Sequence, residues 1–296
     1  MSYLQSLLEI FDNLKMGKRK GQHAPHKPLL ILYALSELQR GQKTFAYRDV
    51  DPALTSLLKT FGPQRVSHHS EYPFWRLQND GIWIVTADAP LESRKSNSDA
   101  KKSELIQKNA IGAFSPSAMK TLMAHPQNIR TVAKWLLEAN FPESLHHDIL
   151  DAVGLNLEVA GNQQRRSPDF RRRVLRAYES RCCVCGYDMR LGDNSAGLEA
   201  AHIMWHQVGG PDKESNGLAL CVLHHKAFDL GAFAIDDDGQ TVVCSQELSG
   251  TTRTEWLLAF HGTRLKRPQS VCYFPERKFL EWHRVTIFKG PGRDFK

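Results

Sequence analysis

Cys182-Cys183-Val184-Cys185-Gly186, Leu198-Glu199-Ala200-Ala201-His202-Ile203 and Ser215-Asn216-Gly217-Leu218-Ala219-Leu220-Cys221-Val222-Leu223-His224-His225-Lys226-Ala227-Phe228-Asp229 follow one another in the second half of the chain. Cys182 and Cys185 form a Cys-x-x-Cys pair, and Cys221 with His224 repeats that spacing 36 residues after Cys185. Two short turns that each present two ligands make a tetrahedral site, and three thiolates with one imidazole favour Zn²⁺ over hard cations. Protein fills all four positions, so zinc held by Cys182, Cys185, Cys221 and His224 is expected to be structural. Buried or redox-active cysteines are the competing reading, and Cys183 is read as packing or a spare thiol.

Leu198 to Ile203 reads as a short apolar strand with a histidine near its end. Gly209-Gly210-Pro211-Asp212 reads as a loop, and the residues after Asn216 run into a helix carrying His225. This order resembles the ββα-metal unit of zinc-stabilised, McrA-like HNH endonucleases, from Ser167 into the 260s, with His202, Asn216 and His225 as the signature residues. The resemblance implies hydrolysis of a phosphodiester. That chemistry needs an activated water, a cation to take up charge and protonation of the 3′ leaving oxygen. His202, an imidazole titrating near neutrality, is the expected general base. His225 is the expected ligand of a catalytic Mg²⁺ or Mn²⁺, and Asp229, four residues on along the same helical face, its carboxylate ligand. Asn216 is expected to hold the loop and orient the base. The sequence departs from the family at Ala201, where many HNH enzymes carry a metal-binding Asp or His. Glu199, on the same strand face, is the residue that would substitute or orient a bound water. His206, His261 and His283 are given structural readings, and Trp282 is assigned to the core.

The chain has 296 residues, 41% hydrophobic and 24% charged, which excludes a disordered or fibrous protein and accommodates two domains. Its 39 Lys plus Arg exceed 32 Asp plus Glu, which favours an anionic partner. The excess is concentrated early, with 19 basic against 14 acidic residues up to position 150 and 20 against 18 beyond it. Periodicity weakens from Gly154 to Arg166, so residues 1–150 are read as one domain, 151–166 as a linker and 167–296 as the nuclease domain. Ser167-Pro168-Asp169-Phe170 has the N-cap, proline and acid of a helix start. Arg165, Arg166, Arg171, Arg172, Arg173, Arg176 and Arg181 crowd that region. No apolar run approaches the ~20 residues of a membrane span. Without a leader-like N-terminus or a disulfide pattern, the chain reads as cytoplasmic.

In the first half, Lys15, Lys18, Arg19, Lys20, His23, His26 and Lys27 form a basic cluster with no acid among them. Leu29–Gln39 has helical spacing after Pro28 and reads as the buried helix of its domain. Phe74–Gln78 and Ile82–Val85 flank Asn79-Asp80-Gly81, which predicts a β-hairpin. Ser117–Ala124, Asn128–Ala139 and Glu143–Val153 read as further helices. The expected fold is α+β: an N-terminal mixed, mainly helical domain with a β-hairpin, then a zinc-stabilised ββα-metal domain.

Ala24-Pro25-His26-Lys27-Pro28-Leu29-Leu30 and Glu71-Tyr72-Pro73-Phe74-Trp75-Arg76-Leu77, with the Asn-Asp-Gly behind, resemble the sulfur-binding domain of type IV restriction endonucleases that cut phosphorothioate-modified DNA. Sulfur in place of a non-bridging oxygen keeps the charge but is larger and less hydrated. An apolar cup favours it, because an oxygen there loses its water without replacement. Tyr72 and Pro73 are the expected cup, His26 and Lys27 the expected partners of the phosphate charge, and Arg76, Arg94 and Lys95 the expected grips on flanking phosphates. The resulting expectation is a modification-dependent endonuclease acting on phosphorothioated double-stranded DNA. An HNH enzyme reading a modified base such as methylcytosine, and a non-catalytic zinc-stapled DNA-binding protein, are the alternatives. A double-strand break needs two nicks, so a homodimer on DNA is a candidate arrangement, although no coiled-coil heptad marks an interface.

Overall fold

The computed structural model describes residues 3–14, 25–63, 65–92, 99–157, 168–191, 194–250 and 255–295. Of the basic cluster only His26 and Lys27 fall among them; Arg94, Lys95, Arg165, Arg166 and Ser167 lie outside the described residues. The chain divides into two units, Met1–Glu158 and Val159–Lys296. None of its helices is long and apolar enough to cross a membrane, among the described residues.

The first unit runs α1 (Tyr3–Asp12), α2 (His26–Gln39), β1 (Phe45–Ala46), α3 (Tyr47–Phe61), α4 (Glu71–Arg76), a 3₁₀ turn (Leu77–Asp80), β2 (Trp83–Thr86), α5 (Lys102–Gln107), β3 (Ile111–Phe114), α6 (Pro116–Ala124), α7 (Pro126–Asn140) and α8 (Glu143–Val153). Helix α2 is apolar all round from Pro28 to Leu35 and is the axis of the unit: Leu29, Leu30, Ile31, Leu32, Ala34 and Leu35 are all fully buried, and α3, α4, α7 and α8 pack round it. An all-round apolar helix is stable only when enclosed in this way.

The β-hairpin expected around Asn79-Asp80-Gly81 is not there. Phe74–Gln78 is helical, and β2 finds its antiparallel partner in β3, with β1 on the other side of β3. Five residues cannot separate a period of 2 from one of 3.6. Here Phe74 and Leu77, three apart, are the buried pair, which is the helical spacing. Pro73 falls in the first turn, where its missing N–H costs nothing. Gly81 does take a positive φ of 76°, but it closes the 3₁₀ turn by donating to the Gln78 carbonyl at 3.1 Å.

Trp83 then stacks on Phe45 at 5.5 Å and meets Phe74 and Phe114 edge-on. Gly112 on β3 permits this, since a Cβ there would sit 2.2 Å from the Trp83 ring.

The second unit runs α9 (Pro168–Ala177), β4 (Arg190–Leu191), β5 (Asn194–Ser195), β6 (Leu198–His202), β7 (Gly217–Cys221), α10 (Val222–Asp229), β8 (Phe233–Ile235), β9 (Val242–Cys244), α11 (Glu255–Leu258) and α12 (Arg277–Thr286). Its centre is the antiparallel ribbon β6–β7, in register from Leu198 opposite Cys221 to His202 opposite Gly217. Helix α9 packs on one face. A Cβ on Gly217 would meet the Val174 side chain at 2.5 Å, so glycine sets how closely helix and ribbon approach. Helix α10 follows β7 directly and packs back on the ribbon.

Gly112→Ala is expected to push into the enclosed Trp83 ring and cost about 1–3 kcal/mol, the usual range for overpacking a core. A thermal midpoint equal to that of the wild type would show that the aromatic cluster does not set the spacing of β3.

Candidate active site and DNA-recognition surface

The two predicted ligand pairs meet. One ligand atom each from Cys182, Cys185, Cys221 and His224 lies within 4.8 Å of the others. His224 Nδ1 is 3.1 Å from Cys221 Sγ and 3.7 Å from Cys182 Sγ, near the spacing of neighbouring ligands on a tetrahedral zinc, roughly 3.5–3.8 Å for Zn–S bonds of ~2.3 Å. Gly186, at φ 80°, turns the chain after Cys185, and Cys221 sits at the end of β7, where α10 begins. Hydrogen bonding from Cys185, then from Cys221, holds the Cys182 thiol well below its usual range. Burial works to lower the His224 pKa, but hydrogen bonds to Cys182 and Cys185 outweigh it and raise it to about 9. Three sulfurs and one ring nitrogen crowd a point suited to a divalent ion, and the donor set fits zinc. Cys183 points elsewhere: it is fully buried among the apolar residues packed on the ribbon, and burial raises its pKa.

At the other end of β6, the His202 ring lies flat on Phe170 of α9, with centroids 3.9 Å apart. Its Nε2 donates to Asp212 Oδ1 at 2.8 Å. The loop carrying Asp212 is held by Arg173, which donates to the Asp212 carbonyl at 2.5 Å and pairs with Glu214 at 3.2 Å. Asn216 is fully buried. Its Oδ1 accepts from the Met204 N–H at 2.9 Å, and its Nδ2 donates to the carbonyls of Met204 and Pro211 at 2.9 and 3.0 Å. Asn216 therefore clamps the loop, while Asp212 and Phe170 orient the histidine.

His225, on α10, is 1% exposed. Its Nδ1 donates to Glu199 Oε2 at 2.5 Å, and its Nε2 lies 3.1 Å from Asp229 Oδ2. The i,i+4 spacing does bring Asp229 to His225, and Glu199 reaches the same ring from β6. His283 of α12 stacks on Phe228 at 3.7 Å and donates to the Phe228 carbonyl at 3.0 Å. Burial brings its pKa down to about 4, so it works as a neutral prop beneath the end of α10. Trp282 packs edge-on against the buried Trp205, with centroids 5.8 Å apart.

In the first unit, Tyr72 is half-buried in α4 between an imidazole and a guanidinium. His69 stacks on it at 4.8 Å, and the Arg76 guanidinium lies 4.4 Å from its ring centre. Pro73 is buried, so Tyr72 is the member of the pair that presents surface. Lys27 is buried and ion-paired with Asp80, which ties the first turn of α2 to the 3₁₀ turn after α4. Arg76 forks onto Asp99 at 2.8 and 2.5 Å, and that hydrogen bonding raises its pKa. His26 is half-buried beside Lys27.

The structure therefore gathers Lys27, Tyr72 and Arg76 around one short helical segment. It also supplies three acids that the sequence reading missed in this role, Asp80, Asp99 and Asp212. Asp80 and Asp212 had been visible only as turn residues, and nothing local marked their long-range partners.

Residues 4–158 match the family described as ScoMcrA-like, DNA sulfur-binding domain, and residues 182–236 match the family described as HNH endonuclease. Among solved structures, the sulfur-binding domain of ScoMcrA complexed with phosphorothioated DNA is 20% identical with a TM-score of 0.44, over 50% of this chain and 94% of that one. The corresponding SprMcrA complex is 20% identical with a TM-score of 0.43, over 52% of this chain and 98% of that one. The modification-dependent TagI restriction endonuclease is 27% identical with a TM-score of 0.30, over 45% of this chain and 41% of that one. No curated protein matches the chain.

The purified chain is expected to carry one zinc per molecule by elemental analysis. Cys221→Ser, or a strong chelator, should remove it and abolish the cooperative melting of the second unit, because structural zinc affinity is folding energy. Unchanged melting after the metal is gone would rule out a structural role for the cluster.

Proposed function

This chain belongs to the family of ScoMcrA-like DNA sulfur-binding domains, and from that premise we propose that it is a modification-dependent restriction endonuclease. In this reading the first unit binds phosphorothioated double-stranded DNA, and the second hydrolyses phosphodiester bonds. Zn²⁺ is its structural ion and Mg²⁺ or Mn²⁺ its catalytic one. The observation that carries the reading is the sulfur-binding match followed, in one chain, by a ββα unit with a Cys₃His cluster at one end of its ribbon and an oriented histidine at the other.

Tyr72 supports the recognition half. Its ring is immobilised by His69 and Arg76 and is only partly wetted. A soft, weakly hydrated sulfur loses little by lying against such a ring, whereas an oxygen gives up hydrogen bonds to water. Lys27 and Arg76 already have acidic partners in Asp80 and Asp99. Near Tyr72 the field on a phosphate is therefore moderated, and discrimination depends more on desolvation than on charge. His26 and the basic residues at 15–20, 94 and 95 supply the sequence-independent attraction.

His202 is the proposed general base. Donation from Nε2 to Asp212 sets the orientation and tautomer of the ring that is to take the proton from the attacking water. Phe170 fixes the plane of the ring, and Asn216 fixes the loop that brings Asp212 to it. A divalent cation bound through His225 supplies the charge that stabilises the pentacovalent phosphate and the 3′ leaving oxygen.

A duplex carrying a single phosphorothioate, incubated with Mg²⁺ or Mn²⁺, is expected to be cut where the unmodified duplex of the same sequence is not; equal cleavage of both would sink the recognition half. His202→Ala should lower kcat by roughly 10²–10⁴-fold, and full activity in that variant would remove it from the mechanism.

Asp212→Asn should lower kcat while leaving DNA affinity unchanged. A parallel loss of both would mean that the loop, and not the base, had been disturbed. Tyr72→Ala should bring the affinities for modified and unmodified duplex together at fixed salt, leaving the affinity for unmodified DNA as it was.

A further inference from the structure

The ring of His225 is held by a carboxylate at each nitrogen, and the two carboxylates stand in different surroundings. Glu199, on Nδ1 at 2.5 Å, has a side chain 45% exposed; Asp229, on Nε2 at 3.1 Å, has one that is 1% exposed. Mg²⁺ gives up its water reluctantly and is normally bound through one or two carboxylates while keeping several waters. No room for those waters exists around Asp229, which is sealed with Phe228 and His283 in the interior. Glu199 faces solvent and has that room.

Resting on the nuclease reading above, we propose that Glu199 and Nδ1 of His225 hold the divalent ion, and that Asp229, acting through Nε2, is a positioning residue for that imidazole.

The strand explains how a glutamate two residues upstream serves a position filled here by Ala201. Residues 199 and 201 share a face of β6, opposite Leu220 and Leu218. Ala201 is fully buried and has only a methyl group. Glu199 sits one pleat repeat further from the strand end, and its longer side chain already touches the histidine in question. On the far side of the ring, Asp229 does what an outer carboxylate does for a metal-bound histidine, fixing its orientation and raising its basicity. Asp229 is itself fixed, because the preceding carbonyl, that of Phe228, accepts from His283.

The test uses the zinc-loaded full-length chain with Mn²⁺ as the probe, bound ion being read from the loss of the free-Mn²⁺ paramagnetic resonance signal. The wild type is expected to bind one Mn²⁺ beyond its zinc. Glu199→Gln, which keeps the shape and a hydrogen-bonding oxygen for Nδ1, should weaken that binding by more than tenfold with zinc content, melting and phosphorothioate-DNA affinity unchanged. Asp229→Asn should retain the site at about 10–100-fold lower affinity, its cleavage recovering as Mn²⁺ is raised, whereas that of Glu199→Gln should not recover. Wild-type Mn²⁺ affinity in Glu199→Gln overturns the assignment. Loss of the ion in Asp229→Asn alone does the same and gives the ligand role to Asp229. A wild type that neither binds Mn²⁺ nor cuts the modified duplex brings down the nuclease reading, and this site with it; cleavage by a wild type whose Glu199→Gln variant binds normally brings down only the site.

Discussion

A ribbon of two five-residue strands does not hold its shape in water unaided, and the chemistry of the second unit depends on how β6 and β7 are pinned. At one end the Cys₃His cluster joins the turn after α9 to Cys221, the last residue of β7. At the other end Asn216, fully buried, holds the loop between the strands by its two carbonyl partners. Phe170 and Val174 of α9 close one face, where Gly217 lets them approach. The alternation of the pleat then acts as a rule of placement. His202 looks toward α9 and stacks on Phe170, whereas Glu199 looks toward α10 and meets His225. Neither side chain would keep its partner if the register slipped by one residue, since a slip exchanges the two faces.

Charge is managed differently in the first unit. Lys27 and Arg76 are ion-paired with Asp80 and Asp99. A buried ammonium without a partner is costly, which accounts for Asp80 being as enclosed as Lys27. The net charge of +7 is therefore a poor guide to selectivity. Long-range attraction draws any nucleic acid; in the proposed reading, the choice between sulfur and oxygen turns on how much water a phosphate gives up against the Tyr72 ring, clamped by His69 and Arg76.

What could be read in the sequence was what is local in the chain. Cys182 with Cys185 and Cys221 with His224 announce themselves by spacing, because each pair lies within one turn, and α2 announces itself by the helical spacing of its apolar residues after Pro28. The register of short strands and the pairing of side chains far apart in sequence were not legible. Lys27 meets Asp80 across 53 positions, His225 meets Glu199 across 26 and Arg76 meets Asp99 across 23; no periodicity encodes such pairs. The misread hairpin has the same origin. Asn79-Asp80-Gly81 carries the right turn chemistry, and Gly81 uses it, but the choice between helix and strand for Phe74–Gln78 was made by burial of Phe74 and Leu77 and by a strand, β3, that arrives more than twenty residues later.

In the proposed mechanism, base and ion draw on opposite faces of one strand, which separates the demands on them. The general base needs a fixed ring plane and a fixed tautomer. α9 supplies the first through Phe170, and the loop supplies the second through Asp212, itself held by Arg173 of α9. The ion needs a ligand that is rigid on its protein side and wet on its substrate side. α10 and α12 supply the rigidity through Asp229, Phe228 and His283, and β6 supplies the wet carboxylate. The two sets share β6 but no side chain. On this proposal a substitution behind the base on α9 would act on proton transfer, and one behind the ion on α12 would act on metal affinity. Distortion of the β6–β7 ribbon would disturb both together.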